Sequence, residues 1–380
     1  MRVLHVINSL SGSGGAEQGL VREITRFGPD VTQLVVRLYQ PADLEPRLET
    51  AGIESICLGL DSGRSGWNWP AGIVALGRVV REFTPDVIHS SLASANLIAQ
   101  RAGARAGVPV LSTFALSGDP NLMKLYQPGA SSLRARMLRK VEQWSARRPH
   151  VRFRALTEDS KASHCAVSRL DPALVTVIPR GVPVAEGEVP SRAELGLPAD
   201  VPVILNVGRQ TAQKGHDDLV RAFAMVNATR PSHLAILGRE GDGTSALQQT
   251  IAECGVGERV TVIQYSDHPY HYYRNADVFA FPSRMEGLGT AVLEAMACGL
   301  PVVAYDIPPI REIGGEIRVA TLVPQGDVDA LAGEVLETLQ DEENARSLAD
   351  TAMRVVLDDY SLDAVARRVQ ELLASTAGQA

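Results

Sequence analysis

Short apolar runs alternate with longer amphipathic segments along the whole chain. The runs have the length of buried strands, and the segments between them have the length of helices. Strands that alternate with helices form parallel sheets covered on both faces, so we expect an α/β fold. Strands are predicted at residues 3–8, 31–37, 53–58, 87–89, 110–113, 152–156, 175–178, 203–207, 234–237, 260–263, 278–281, 302–305 and 320–323. In the second half, helices are predicted at residues 216–227, 289–298, 328–339, 343–357 and 362–373.

A break in this pattern divides the chain. Proline and glycine are frequent between residues 179 and 198, so residues 183–200 are predicted to be a linker. Residues 1–182 and 201–360 would then form two domains, which suits a chain of 380 residues with 45% hydrophobic content. Residues 361–380 are predicted to form a separate C-terminal helix.

Composition indicates a cytoplasmic protein. No apolar stretch approaches the roughly 20 residues that span a membrane, and the first residues have the pattern of a strand instead of a signal peptide. The 4 cysteines are scattered without the spacing of metal ligands or disulfides.

The charge is distributed unevenly. Residues 1–185 carry 22 Lys and Arg against 15 Asp and Glu, whereas the remainder carries 15 against 29. Much of the positive charge lies in residues 131–148, where an amphipathic helix is predicted. Packing of this helix on its own sheet is favoured, and peripheral contact with the inner face of an anionic membrane is the alternative. No aromatic-interleaved basic stripe indicates a nucleic-acid partner.

Two carboxylates, Glu286 and Glu294, flank the start of an apolar helix that follows a predicted strand. Ligands of open α/β sheets bind at such strand ends. The backbone amides of Leu288, Gly289 and Thr290 would lie at the positive end of the helix, where a phosphate is favoured. Each carboxylate can accept hydrogen bonds from a diol, and a sugar nucleotide has one diol on the hexose and one on the ribose.

The pattern PS-x2-EG-x-G-x4-EAMACG at residues 282–299 resembles the signature of retaining glycosyltransferases of family 4, which have the GT-B fold. The resemblance extends over nearly the whole chain and implies two Rossmann-like domains that face each other across a cleft, with the last helix crossing back to the first domain. It implies that Glu286 contacts the donor sugar and that Glu294 holds the ribose.

Residues 205–215 resemble a second block of the family, VGR-x4-KG. The resemblance implies that Arg209 and Lys214 bind the donor diphosphate. Electrostatics favours the same assignment, because a diphosphate beside two carboxylates needs cations to neutralise it.

The first loop, at residues 9–17, resembles the GGAE turn of the family. Gly14 and Gly15 would let backbone amides approach the donor phosphate and leave room for an acceptor. The loop lacks the third small residue of a dinucleotide-binding fingerprint, so a dehydrogenase is a poor fit.

One position departs from the family pattern. Members commonly carry a histidine beside the donor sugar where this chain has Ala115. Either the acceptor pocket is reshaped, or the protein binds its ligand without transferring a sugar. His89 is predicted to end a neighbouring strand and is a candidate substitute on the acceptor side, with a packing role as the alternative.

The resemblance implies transfer of a sugar from a nucleotide-diphosphate donor to a hydroxyl acceptor with retention, without a metal or other cofactor. The acceptor class would be a cell-envelope, lipid-linked or natural-product glycoside. Asp327 and Asp329 match the D-x-D pattern of metal-bound donors, but Asp327 is better placed as a helix cap. The alternatives are a sugar-nucleotide binder, an epimerase and a phosphorylase.

Overall fold

The computed structural model describes residues 1–12, 14–61, 68–114, 125, 140, 144–184 and 187–378. The described chain divides into two compact units. One comprises Met1–Gly181 together with the segment from Leu362, and the other comprises Val182–Ser361. Both are built on a parallel sheet covered by helices, which confirms the predicted α/β fold class.

The first unit contains a seven-stranded parallel sheet in the order β3-β2-β1-β4-β5-β6-β7. Its strands are β1 (Arg2–Ile7), β2 (Thr32–Arg37), β3 (Glu54–Cys57), β4 (Val87–Ser91), β5 (Val110–Phe114), β6 (Val151–Ala155) and β7 (Val175–Val177). Its helices among the described residues are α1 (Gly15–Ile24), α2 (Glu45–Thr50), α3 (Trp69–Phe83), α4 (Ala93–Ala106), α5 (Glu158–Ser168) and the C-terminal α13 (Leu362–Ala377).

Burial explains why four of the 6 residues of β1 are apolar. Leu4 and Val6 pack into the core beneath α3 and α4, whereas Val3 faces a cluster formed with α13. Both faces of the strand are therefore shielded from water, as is usual for parallel sheets. On α13, Val365, Val369 and Leu373 form a fully buried stripe at helical spacing. Each such side chain contributes roughly 1.5–3 kcal/mol when buried, which accounts for the attachment of this helix to the first unit.

The second unit contains a six-stranded parallel sheet in the order β10-β9-β8-β11-β12-β13. Its strands are β8 (Val203–Val207), β9 (His233–Leu237), β10 (Val260–Ile263), β11 (Val278–Phe281), β12 (Val302–Tyr305) and β13 (Thr321–Val323). Its helices are α6 (His216–Thr229), α7 (Thr244–Glu253), α8 (Pro269–Tyr273), α9 (Thr290–Ala297), α10 (Pro308–Arg311), α11 (Val328–Gln340) and α12 (Glu342–Asp359). The strand order reverses between β8 and β11, and ligands of such sheets bind at the carboxyl ends of the strands at this point.

The segment predicted to be a linker is packed where the structure describes it. Residues 183–184 and 187–200 fall within the second unit. Arg192 donates to the backbone carbonyl of Asn275 at 2.8 Å and pairs with the carboxylate of Asp277 at 2.7 Å. Asp277 also accepts from the backbone amide of Val203 at 2.7 Å, so the segment is fastened to the start of β8. Proline and glycine here mark an irregular but packed segment, and not a free connection.

Most of the predicted basic helix at residues 131–148 lies outside the described residues. The described part ends in a helical turn that contains Trp144, whose side chain is 52% exposed. Two guanidinium groups lie over the indole ring, that of Arg101 at 3.9 Å and that of Arg148 at 4.7 Å from the ring centroid. Trp144 is thus stacked against arginine side chains at the surface.

Candidate functional site

Two loops meet at the reversal point of the second sheet, one after β8 and one after β11. The first ends in a tight turn, Ala212–Lys214, followed by Gly215 with a left-handed φ of +65°. A Cβ atom on Gly215 would stand 2.2 Å from the carbonyl oxygen of Pro282 in the second loop. Only glycine permits both this conformation and this approach of the two backbones.

This approach brings Lys214 and Glu286 together. The Nζ atom of Lys214 lies 2.5 Å from Oε1 of Glu286, and the hydroxyl of Ser283 donates to the same oxygen at 2.6 Å. The side chains of the lysine and the glutamate are 17% and 11% exposed. The ammonium also lies 5.3 Å from the ring centroid of Phe281. The pair therefore places opposite charges, each still reachable from solvent, at one edge of the sheet.

Arg209 lies at the start of the first loop, and its side chain is exposed. Its Nε atom donates to the carbonyl of Glu240 at 3.3 Å. The adjacent Gly208 packs against Gly238, where a Cβ atom would stand 1.9 Å from the Gly208 carbonyl oxygen. The guanidinium is therefore anchored at one nitrogen on a closely packed loop, and its charge is available to an anion.

Helix α9 begins directly after the Glu286 loop. Gly289 precedes its first residue with a φ of +82°, and a Cβ atom there would stand 2.3 Å from Ile310. The first turn of a helix leaves backbone amides without intrahelical acceptors. The amides of Leu288, Gly289 and Thr290 lie at this end, as the sequence predicts, so the site offers backbone donors next to the Lys214–Glu286 pair.

Glu294 lies one turn further along α9 and is 8% exposed. Two phenolic hydroxyls donate to its carboxylate, Tyr270 to Oε1 at 3.1 Å and Tyr273 to Oε2 at 3.3 Å. Burial, followed by the nearby charge of Glu294, raises the pKa of Tyr273 well above its ordinary value. Tyr273 therefore stays protonated and remains a donor. These tyrosines, three positions apart on α8, did not emerge from the sequence as site residues.

The Gly14–Gly15 turn in the first unit is the start of α1. A Cβ atom on Gly14 would stand 1.9 Å from Oε2 of Glu17, whereas the space around Gly15 is open to at least 4 Å. On the inner side, the guanidinium of Arg180 donates to the carbonyls of Gly15 and Ala16 at 2.7 and 2.8 Å. The turn is therefore held from within by Arg180, and Gly15 is exposed.

His89 has a different position from the one predicted. Strand β4 continues to Ser91, so His89 lies inside the strand and is 1% exposed. Its Nδ1 atom is 3.2 Å from Nδ1 of His5, and its Nε2 atom is 3.2 Å from the hydroxyl of Thr113. Both ring nitrogens are thus engaged within the sheet, which is the packing role. Ala115, the other acceptor-side candidate, lies outside the described residues.

Asp327 caps α11. Its carboxylate accepts from the backbone amide of Ala330 at 2.9 Å, the geometry expected of a helix cap. Within the described part of the chain, no group of three or more His, Cys, Asp or Glu side chains has the arrangement of a metal site.

Comparison with known families decides the assignment. A model described as "Glycosyl transferase 4-like domain" matches residues 11–181, and a model described as "Glycosyl transferases group 1" matches residues 190–355. Together they cover most of both units. The chain belongs to the group 1 glycosyltransferases.

Individual relatives have similar sequences over different fractions of this glycosyltransferase. The 2-deoxystreptamine N-acetyl-D-glucosaminyltransferase of Streptomyces fradiae is 29% identical over 92% of this chain and 88% of that protein. A D-inositol 3-phosphate glycosyltransferase of Thermobispora bispora is 30% identical over 71% of this chain and 66% of that protein. Family membership and these relatives identify the chain as an enzyme of the transferase class.

Solved structures are similar in fold. Anabaena HepE in complex with UDP-glucose has a TM-score of 0.83 and 20% identity, over 99% of this chain and 100% of that one. Sucrose-phosphate synthase from Thermosynechococcus elongatus has a TM-score of 0.81 and 21% identity, over all of both chains. They confirm the GT-B fold of the glycosyltransferase, with its two Rossmann-like sheets. Among its described helices, none is long and apolar enough to cross a membrane.

Proposed function

We propose that this glycosyltransferase transfers a sugar from a nucleotide-diphosphate sugar to a hydroxyl acceptor, with retention at the anomeric carbon and without a metal. The observation that carries the proposal is the Lys214–Glu286 pair beside the first turn of α9. A cation, a carboxylate and the backbone amides at the start of α9 lie within one short stretch of the sheet edge. This combination suits a substrate that has a diphosphate next to a hexose.

Departure of the diphosphate is the main barrier in this reaction. As the bond between the anomeric carbon and the phosphate oxygen breaks, its electron pair remains on the leaving oxygen. Arg209, Lys214 and the amides of Leu288, Gly289 and Thr290 would stabilise that negative charge. A metal ion would then not be required for this step.

Retention needs no protein nucleophile in this scheme. The acceptor oxygen bonds to the anomeric carbon on the face that the diphosphate leaves, and its proton passes to a phosphate oxygen. Glu286 is already paired with Lys214 and Ser283, which suits a carboxylate that binds hexose hydroxyls better than one that attacks carbon. Glu294, held by two tyrosines, is assigned to the ribose diol.

The similar proteins support the donor and acceptor classes. The HepE structures contain UDP and UDP-glucose, so a uridine diphosphate sugar is the first donor to test. The names of two relatives specify 2-deoxystreptamine and inositol 3-phosphate, both of which contain a polyhydroxylated carbocycle. Compounds of that kind are therefore the first acceptors to test, alongside lipid-linked and cell-envelope glycosides.

The test begins with thermal denaturation in the presence of UDP, GDP, ADP and dTDP sugars. A ligand present at 100 times its dissociation constant stabilises the protein by about 2.7 kcal/mol, so the true donor should raise the melting temperature most. Incubation of that donor with candidate acceptors should then yield a glycoside, and proton NMR of the anomeric position should show the donor configuration. A product with the inverted configuration would contradict retention.

A binding protein without transferase activity is the second candidate, because Ala115 replaces the histidine common in the family. A binding protein of this kind would be stabilised by a sugar nucleotide but would form no product with any acceptor. An epimerised donor or a sugar phosphate as the product would instead indicate an epimerase or a phosphorylase.

A further inference from the structure

Arg284 connects the two loops that carry Lys214 and Glu286. It lies two residues before Glu286, in the loop after β11. Its backbone amide donates to the carbonyl of Gln213 at 2.7 Å, and its Nη1 atom donates to the carbonyl of Ala212 at 2.9 Å. Both acceptors belong to the turn that ends at Lys214. One residue of the second loop therefore binds the chain directly before the lysine.

The same guanidinium also binds the chain after the lysine. Its Nη2 atom donates to Asp217 at 3.0 Å and to Asp218 at 2.7 Å, both in the first turn of α6. Asp218 is 7% exposed and accepts a further hydrogen bond, at 3.0 Å, from the hydroxyl of Tyr305 at the end of β12. Arg284 thus contacts the chain both before and after Lys214. The hydrogen bond from Tyr305 to Asp218 links these contacts to β12.

These contacts distinguish Arg284 from the cations assigned to the diphosphate. Its charge is balanced by two carboxylates, and its side chain is only 21% exposed. Arg209, in contrast, is exposed and contacts a neutral carbonyl. The planar fork of an arginine suits simultaneous contacts with several fixed acceptors, which a lysine cannot reproduce.

We infer that Arg284 is a positioning residue that holds the Lys214 loop and the Glu286 loop at the spacing at which their charges meet. The inference rests on the proposed function, because it assigns the geometry of the donor site to a residue that does not touch the donor. Without the guanidinium of Arg284, the two loops could shift relative to each other. A displacement of about 1 Å at a reacting group can reduce the rate 100-fold.

A double-mutant cycle tests this role. Arg284→Met should lower kcat by about 10- to 100-fold, and Arg284→Lys should restore part of the loss. In a Lys214→Ala background, Arg284→Met should cost less than about 3-fold, because the positioned group is already absent. Arg221→Met is the matched control, since Arg221 contacts the same two aspartates at 3.5 and 3.7 Å without reaching the loops. It should leave kcat unchanged.

The reactivity of Lys214 gives a readout that does not depend on turnover. Acetylation by acetic anhydride, followed by peptide mass spectrometry, should be about 3-fold faster in Arg284→Met than in the wild type, because an amine that is no longer held in its ion pair is more accessible to the reagent. Glu286→Gln should show the same rise and serves as the positive control. Arg221→Met should not change the rate.

Equal rate losses from Arg284→Met in both backgrounds, or unchanged acetylation of Lys214, would overturn the inference and leave Arg284 a general stabilising role. Melting temperatures of all variants identify any protein that is unfolded under the assay conditions, in which case Arg284→Lys takes the place of Arg284→Met. If the wild type transfers no sugar at all, the proposed function fails, while the acetylation rates still decide the role of Arg284.

Discussion

Lys214 and Glu286 are separated by 72 residues in the sequence, yet their charged atoms lie 2.5 Å apart. In the proposed reaction, the donor diphosphate would meet an ammonium that already has a carboxylate partner. An ammonium has three donor hydrogens, so Lys214 could bind phosphate oxygens without releasing Glu286. Sugar hydroxyls would share the carboxylate with Lys214 and Ser283, so removal of either Lys214 or Glu286 should affect transfer.

The first prediction concerns the cations. Lys214→Ala and Arg209→Ala should each lower kcat by about 100-fold or more, because each removes a preorganised charge that stabilises the leaving diphosphate. Steady-state kinetics with saturating donor and acceptor measures the effect. Arg354→Ala, an exposed arginine on the outer helix α12, is the control and should retain the wild-type rate. Wild-type turnover in both site variants would reject the assignment.

The second prediction separates the two glutamates. Glu294→Gln should weaken binding of the free nucleotide by about 1–3 kcal/mol, since a charge-assisted hydrogen bond to the ribose is lost. Glu286→Gln should reduce transfer but leave nucleotide affinity near that of the wild type. Isothermal titration calorimetry with the free nucleotide distinguishes them. Sensitivity to Glu286 combined with indifference to Glu294 would reverse their roles.

Tyr273→Phe extends this comparison. It keeps the carboxylate of Glu294 but removes one of the hydroxyls that orient it. Nucleotide affinity should fall by less than in Glu294→Gln, by about 1 kcal/mol, the usual net contribution of one hydrogen bond. A larger loss than that of Glu294→Gln would indicate that the phenol itself contacts the nucleotide.

The third prediction concerns metal ions. Excess EDTA should leave the rate of transfer unchanged, because side chains and helix-end amides neutralise the diphosphate. The assay should compare chelated protein with samples to which Mg²⁺ or Mn²⁺ is returned. Loss of nearly all activity with EDTA, and its recovery with either ion, would show that the metal-independent mechanism is wrong.

The fourth prediction concerns acid stability. Burial lowers the pKa of His5 and of His216 to about 4, and burial together with the neighbouring His5 lowers the pKa of His89. Between pH 6.5 and 4 the unfolded chain therefore binds more protons than the folded chain, so the free energy of unfolding falls as the pH falls. The stability is fully present above pH 6.5. At pH 5 the loss should be about 2 kcal/mol for each of His5 and His216.

Urea unfolding at pH 7.5 and pH 5 measures this loss. His5→Gln should reduce the difference between the two pH values, because glutamine does not titrate. His268→Gln, at an exposed position, should not change it. An equal decline in wild type and His5→Gln would show that other groups control the acid stability.

The tautomers of the buried pair follow from its partners. The side-chain amide of Gln33 donates to the carbonyl of Ile24, so its oxygen accepts from Nε2 of His5. His5 Nδ1 must then accept from His89 Nδ1, and His89 Nε2 accepts from the hydroxyl of Thr113. The Nδ1–Nδ1 contact needs one nitrogen to donate and the other to accept, so the two histidines cannot both be charged. Burial disfavours even a single charge on the pair, which is the structural reason for the predicted acid sensitivity.

The sequence by itself determined the fold class and the two loops of the proposed donor site. Strands buried on both faces require continuous apolar runs, so the predicted strands of the second sheet differ from the observed ones by at most one residue at each end. Parallel strands also bring their carboxyl ends to the same edge. The loops containing Lys214 and Glu286 could therefore be assigned to one edge without knowledge of any contact.

Only the tertiary structure decided which distant side chains complete the site. The hydroxyls of Tyr270 and Tyr273 reach Glu294, and Arg284 reaches Asp217 and Asp218, through contacts between separate elements. The burial of His89 likewise depends on β4 lying between β1 and β5. Local patterns record whether a segment is strand or helix, because that choice depends on neighbours a few residues away. Partners across a sheet depend on strand order and register, which are set by packing of the whole unit.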